Sequence, residues 1–182
     1  VEYPLFGRDF ASRGAAFREQ IALLRDNARA HLPPGLAMLP RPPSPLPLLV
    51  AGLAQQTPDW IGAHLDGCLA YPGAPDDHLH RAAAWRRVAG DKPYISFIHL
   101  DLVEDADAPL RRFRFGAQAG RRALIEELRA LHASGVHHIG LHLRRNTRPL
   151  DETLREIAEE VLPHFHTESP EESLHEDTRS LV

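Results

Sequence analysis

Three groups of residues in this 182-residue chain have types and spacings suited to chemistry. In the first, Gly52-Leu53-Ala54-Gln55-Gln56-Thr57-Pro58, an apolar run ends in glycine and passes into amide and hydroxyl side chains. A residue without Cβ lets a ligand approach the backbone closely. Thr57-Pro58 is a helix-start signal, and the first N–H groups of a helix are unpaired and partly positive. The loop therefore suits an anion such as phosphate; an ordinary tight turn and N-cap would use the same residues. The second group is His99 and Asp101 in one apolar run and His138 and His142 in another. On strands each pair shares a face, and neighbouring strands can bring His99 close to a histidine of the later run. A histidine lining a polar mouth can act as a general base; a hydrogen-bonded core histidine is the alternative, above all for His138. The third group is Arg144, Arg145 and Arg148. They can clamp an anionic substrate or cofactor phosphate, or pair at the surface with Asp151 and Glu152.

Other chemistries lack their motifs. The 12 histidines show no HExxH spacing and no paired cysteines, so no metal site is expected. His137 and His138 are adjacent and would point to opposite faces of a strand. Cys68, the one cysteine, sits in an apolar run as an inert buried thiol would. There is no Ser-His-Asp arrangement and no Walker loop. Arg111, Arg112 and Arg114 alternate with Phe113 and Phe115 as in a single-strand nucleic-acid strip, but Glu104, Asp105 and Asp107 cancel that charge, which favours a solvated loop or lid. Twenty-one basic against 25 acidic residues leave no electrostatic footprint for nucleic acid. No apolar run reaches the roughly 18 residues of a membrane span. With one cysteine and no secretory signal, the expectation is a cytoplasmic protein without membrane contact.

These residues must be positioned by an alternation of helices and strands. Phe17, Ile21, Leu24 and Ala28 form one helical stripe, with Asp9 or Ser12 as cap and Pro33-Pro34-Gly35 as stop. Residues 33–47 hold seven prolines and read as an extended connection. Leu46 to Gly52 reads as a strand buried on both faces, followed by a helix from Pro58 to about Leu65. Cys68 to Tyr71 is a second strand, stopped by Pro72-Gly73. A helix opened by Asp76 and Asp77 leads to Gly90. Tyr94 to Leu102 is the clearest strand, followed by a loop over 103–116. A helix from Gly120 carries Leu124, Leu128 and Leu131, and Val136 to Leu143 is a fourth strand. The last helix starts near Pro149, with Leu154, Ile157, Ala158, Val161 and Leu162 as its stripe. Residues 1–166 form the folded part, and 167–182 read as a disordered tail. Strands each followed by a helix imply an α/β fold with parallel pairing. Two architectures accept the order: an open doubly wound sheet, or part of a (β/α)8 barrel. Both put ligands at the C-terminal ends of the strands, in loops 51–58, 71–77, 101–120 and 143–149.

The ordered run Leu48-Leu49-Val50-Ala51-Gly52-Leu53-Ala54-Gln55-Gln56-Thr57-Pro58-Asp59-Trp60, then Ala63-His64-Leu65-Asp66-Gly67-Cys68-Leu69-Ala70-Tyr71-Pro72, resembles the bacterial luciferase-like flavin-dependent monooxygenase and oxidoreductase family. The opening Glu2-Tyr3-Pro4 to Glu19 and the ending Gly135 to Phe165 resemble segments of the same family. The resemblance implies a TIM (β/α)8 barrel of which this chain is the C-terminal half, about units five to eight plus the preceding helix. It implies reduced FMN, or an F420-type deazaflavin, with oxygen as co-substrate in the monooxygenases and an unknown small organic substrate. It places the cofactor phosphate at Gly52, Leu53, Gln55, Gln56 and Thr57, with Tyr71 and Pro72 flanking ring or phosphate; a strand-end aromatic packing on a neighbour is the alternative for Tyr71. His99 and His142 would line the pocket as catalytic candidates. The partners implied are the flavin, the substrate and a flavin reductase. The first half of the barrel, which in the family supplies much of the substrate pocket, is not in this sequence. A non-catalytic flavin-binding or inactive half-barrel module therefore stands as the alternative, and four parallel strands with free edges suggest a homodimer.

Overall fold

In the computed structural model, four parallel strands stand side by side in chain order, and the description covers residues 3–7, 9–26, 32–36 and 46–165. The elements are α1 (Arg13–Arg25), β1 (Leu49–Ala51), α2 (Pro58–His64), β2 (Gly67–Leu69), α3 (Pro75–Ala89), β3 (Tyr94–Leu102), β4 (Arg111–Phe113), β5 (Gly116–Ala119), α4 (Arg121–Ala133), β6 (His138–His142) and α5 (Leu150–Glu156). α5 runs on through a π turn (Ile157–Val161) and a 3-10 turn (Leu162–His164). Most of the connection over 33–47, with Ala28 and the tail from 167 onward, lies outside the described residues.

The pairing is parallel from β1 to β2, β2 to β3 and β3 to β6. Order in space follows order in sequence without reversal, so the sheet is wound in one direction; a doubly wound sheet reverses at a switch point. The loop expected over 103–116 instead holds a hairpin, β4 antiparallel to β5. β5 pairs with β3 at His99–Leu102, continuing the edge that β2 occupies at Tyr94 and Ile95. Two tight approaches set the hairpin: a Cβ on Gly116 would stand 2.2 Å from the His99 carbonyl oxygen, and one on Gly120 2.2 Å from that of Asp105.

The described helices gather on one face of the sheet. Tyr94, Leu100 and Leu102 of β3 point into it, the first with Val50, Ile61, Leu65, Trp85 and Leu131, the others with Leu124, Ile125, Ile157 and Val161. Both layers come from helices with the expected signals. Thr57 caps α2 by accepting from the Trp60 amide at 3.3 Å, and Pro58 takes the first helical position. Asp77 accepts from the Ala74 amide at 3.0 Å to start α3. α4 buries Leu124 and Leu131 as its stripe predicts.

Four expectations need correction. β1 is buried only at Val50, because its opposite face, with Leu49 at 50 % exposure, is left open by the described residues. β2 ends at Leu69, and Cys68 is half-buried; burial still pushes its thiol up to about 11, so it stays protonated at neutral pH. α1 ends at Arg25, and Ser12 occupies the cap position without a side-chain capping bond, its hydroxyl donating instead to the Asp9 carbonyl. In α5 Leu154 is exposed; Thr153 is buried instead, donating to the Pro149 carbonyl and accepting from Asn146.

The second face of the sheet carries Leu49, Leu69, Ile95, Phe97, His99 and Asp101, with His138, Gly140 and His142 from β6, as the two-residue alternation and the register require. Its floor is apolar. Its C-terminal rim is polar, and there the chemistry-bearing residues collect.

Candidate functional site

His99 and His142 sit directly opposite each other in the β3–β6 register, with their Nδ1 atoms 3.2 Å apart. The backbone amide of Arg144 donates to His142 Nδ1 at 3.3 Å. An imidazole nitrogen that accepts carries no proton, so this contact puts the ring hydrogen of His142 on Nε2. A hydrogen between the rings would then sit on His99 Nδ1, sharing the His142 Nδ1 lone pair with the Arg144 amide and leaving His99 Nε2 without a proton. Burial, the neighbouring His142 and the charges of Arg145 and Arg144 lower the His99 pKa, so the ring is neutral at pH 7. The ring of Phe97 packs edge-on to His99, with centroids 5.6 Å apart.

Asp101 is the organising acid of the rim. Gln118 Nε2 donates to its Oδ2 at 2.7 Å, and the amide and hydroxyl of Thr147 both donate to Oδ1 at 2.9 Å. Burial alone would push this carboxyl up; the three hydrogen bonds outweigh it and hold the group below the usual range. The side chain thus ties β3 to β5 and to the loop after β6 while keeping its charge. Asn146 Oδ1 accepts from the Leu102 amide at 3.2 Å and adds a second tie.

That loop presents Arg144, Arg145 and Arg148. Arg148 pairs with Glu156 at 2.6 Å, a partner the sequence did not suggest, rather than with Asp151 or Glu152. Neither Arg144 nor Arg145 pairs with a carboxylate among the described residues. The Arg145 guanidinium lies 5.5 Å from the ring centroid of Phe113 on β4. Across the hairpin turn Phe115 holds a left-handed backbone, φ 64°, and accepts from the His99 amide at 3.0 Å. Its ring lies 6.4 Å from that of Tyr71, which is 65 % exposed. One continuous rim therefore runs from Tyr71 through Phe115 to the histidine pair and Arg145. Phe113, Phe115, Gln118 and Thr147 were not anticipated as parts of it.

The first loop has a different character. Gly52, Ala54 and Gln55 all have positive φ, 71°, 45° and 61°. Two of these are not glycine, a local strain of the kind that collects at functional sites. The space where a Cβ on Gly52 would stand is open. Gly52, Leu53 and Tyr71 line one cavity of about 280 Å3 whose walls are mostly apolar, with Arg81 as the charged residue in its lining. Arg81 donates to the Tyr71 carbonyl at 2.8 Å. Gln56 is buried and committed: it donates to the Gly14 and Ala54 carbonyls and accepts from Arg18 at 2.5 Å. Thr57 is occupied as acceptor by its capping bond, Gln55 is exposed, and Pro72 is half-buried. His138 is exposed, on the uncovered face beside Ile95.

No group of three or more His, Cys, Asp or Glu among the described residues is arranged to hold a metal ion. No described helix is long and apolar enough to cross a membrane.

No family model matches the sequence, and no curated protein matches it. Among solved structures the chain is similar to an F420-dependent secondary alcohol dehydrogenase in complex with an F420-acetone adduct, with a TM-score of 0.64 at 15 % identity. The match covers 90 % of this chain and 66 % of that one. The likeness establishes the fold: a mixed α/β, TIM-barrel-like arrangement of parallel strands.

Proposed function

We propose that the four βα units are the C-terminal half of a luciferase-like (β/α)8 barrel, serving a deazaflavin-linked oxidoreductase that interconverts a small alcohol and its carbonyl product. The observation that carries this reading is the His99–His142 pair on the uncovered sheet face, at the C-terminal strand ends where barrel enzymes hold their sites. The fold shared with an F420-dependent alcohol dehydrogenase supports a deazaflavin over FMN.

The residues present fit such a cofactor. Gly52 leaves open space beside its backbone, and exposed Leu53 and Tyr71 stand at the strand ends next to it. The loop from Gly52 to Thr57 would hold the phosphate-bearing arm, and Tyr71 would flank the ring. A bound deazaflavin supplies hydride chemistry; the protein supplies position and proton handling. His99 Nε2 accepts the hydroxyl proton of the substrate, and His142 fixes the tautomer that makes this possible. The apolar floor of Leu69, Ile95 and Phe97 excludes water once covered. The remaining units of a full barrel provide that cover; a second copy of the chain provides it when the chain stands alone.

Titration of the purified chain with F420, and in parallel with FMN, tests the reading through cofactor fluorescence. F420 binds, FMN binds more weakly, and Gly52→Val and Tyr71→Ala each weaken F420. Absence of F420 binding at high micromolar protein overturns the proposal.

A further inference from the structure

Beyond the histidine pair, hairpin β4–β5 and the loop after β6 border an open cavity of about 530 Å3. Asp101, Arg111, Arg112, Phe113, Gln118 and Arg145 line it. Three of the six are arginines, and their charges are not equally spent. Arg112 reaches both oxygens of buried Glu127, at 2.9 and 2.8 Å. Asp101 has both oxygens engaged by Gln118 and Thr147, so it is a poor partner for a further cation. Arg111 and Arg145 pair with no carboxylate among the described residues. The Arg145 guanidinium lies 5.5 Å from the Phe113 ring centroid, within cation–π range. Two unspent guanidinium groups facing one cavity suit a planar or tetrahedral oxyanion.

We propose that this cavity is an anion subsite in which Arg111 and Arg145 take a carboxylate or phosphate carried by the substrate. Asp101 lies two residues beyond His99 on the same strand face, about 6–7 Å along the strand. A hydroxyl at His99 Nε2 and an anionic group at Arg145 therefore belong to one small molecule with a few bonds between them: a short hydroxy acid or hydroxyalkyl phosphate. The assignment to a substrate rests on the oxidoreductase reading; the anion site itself does not.

The test uses the chain without cofactor, titrated with inorganic phosphate at ionic strength held constant with chloride, and followed by backbone amide NMR shifts. Shifts concentrate at Asp101, Phe113, Gln118 and Arg145. Arg145→Gln and Arg111→Gln each weaken phosphate by about tenfold, the size of one charged hydrogen bond. Saturating phosphate leaves F420 affinity unchanged. No phosphate binding, or shifts spread over Arg122 and Arg129 and indifferent to Arg145→Gln, overturns the site. Competition between phosphate and F420 assigns the cavity to the anionic part of the cofactor and overturns the substrate assignment. F420 binding without phosphate binding removes the subsite and leaves the oxidoreductase reading standing.

Discussion

Asp101 of β3 accepts two hydrogen bonds from a single residue, the amide and the hydroxyl of Thr147, both at 2.9 Å. One carboxylate thus fixes the start of the loop that carries Arg148 and follows Arg144 and Arg145. Asp101→Ala removes the acceptor and leaves the Thr147 amide and Gln118 unpaired. The expected loss is about 2–3 kcal/mol in denaturant unfolding, with broadened amide signals over 144–148. Asp101→Asn, which keeps one acceptor, loses less. Because the folded carboxyl sits below the usual 3.8, its stabilisation is complete above that pH and fades only as the pH falls further.

The histidine pair predicts a specific proton distribution. Imidazole nitrogen spectra of the chain show His99 protonated at Nδ1 and bare at Nε2, and His142 the reverse. His99 titrates below the ordinary 6.5. Arg145→Gln removes one of the charges that depress it, and its titration moves up. On the proposed oxidoreductase reading, His99→Gln lowers turnover by about 10²–10⁴-fold and leaves F420 affinity unchanged. A protonated His99 cannot accept, so rate falls on the acid side of its pKa; a rate indifferent to His99→Gln would exclude it as the base.

His78 is almost wholly buried against the Tyr94 hydroxyl, 3.1 Å from its Nδ1. Burial, then the charge of Arg81, lowers its pKa to about 4. The unfolded chain takes up a proton near 6.5 and the folded chain does not until about 4. Stability is therefore full above 6.5 and declines between 6.5 and 4, by on the order of 3 kcal/mol. Unfolding curves at pH 7, 5.5 and 4.5 measure this, and His78→Gln flattens the decline. Asp101 acts only below that window, so the two contributions separate.

Two glycines of the rim answer differently to a methyl group. On Gly116 it would meet the His99 carbonyl oxygen at 2.2 Å, and the Phe113 ring. Gly116→Ala pushes the hairpin away from β3 and costs about 1–3 kcal/mol, read as a lower unfolding midpoint. On Gly140 its nearest neighbour is Phe97 Cβ at 3.5 Å, ordinary contact. Gly140→Ala is near neutral in stability.

The uncovered face predicts association. Leu49, Leu69 and Tyr71 stand 50 %, 38 % and 65 % exposed on it, and apolar residues grouped on one open face mark an interaction surface. In sedimentation the isolated chain forms dimers, and Leu69→Glu returns it to monomers. A wild-type chain that stays monomeric at high concentration would show that the face is tolerated bare.

The long elements were legible from sequence because their signals are local. Tyr94–Leu102 is a nine-residue strand of mostly apolar residues, and α2 and α4 carry caps and stripes that nothing contradicts. Leu46 to Gly52 misled because an apolar run reads as buried on both faces, whereas burial depends on what packs there, and that is not written in the run. The hairpin was hidden by the mixed charges around Phe113. Gln56 looked free for a ligand; its partners Gly14 and Arg18 come from residues about forty positions earlier, a distance over which sequence pattern carries no geometry. The juxtaposition of His99 with a histidine of the last strand was legible once parallel neighbours were assumed, but the tautomer depended on the Arg144 amide.

β1, β2 and β3 pair in parallel in the order in which they follow one another along the chain, whereas β6 joins β3 only after the intervening β4–β5 hairpin. A chain leaving the ribosome can therefore lay down β1, dock β2 on it, and add β3 with α3 already in place, without waiting for a distant partner. Only β6, which closes the histidine pair, arrives last. The β1–β3 layer can gather before β6 is made, and the histidine pair forms only once β6 docks on β3.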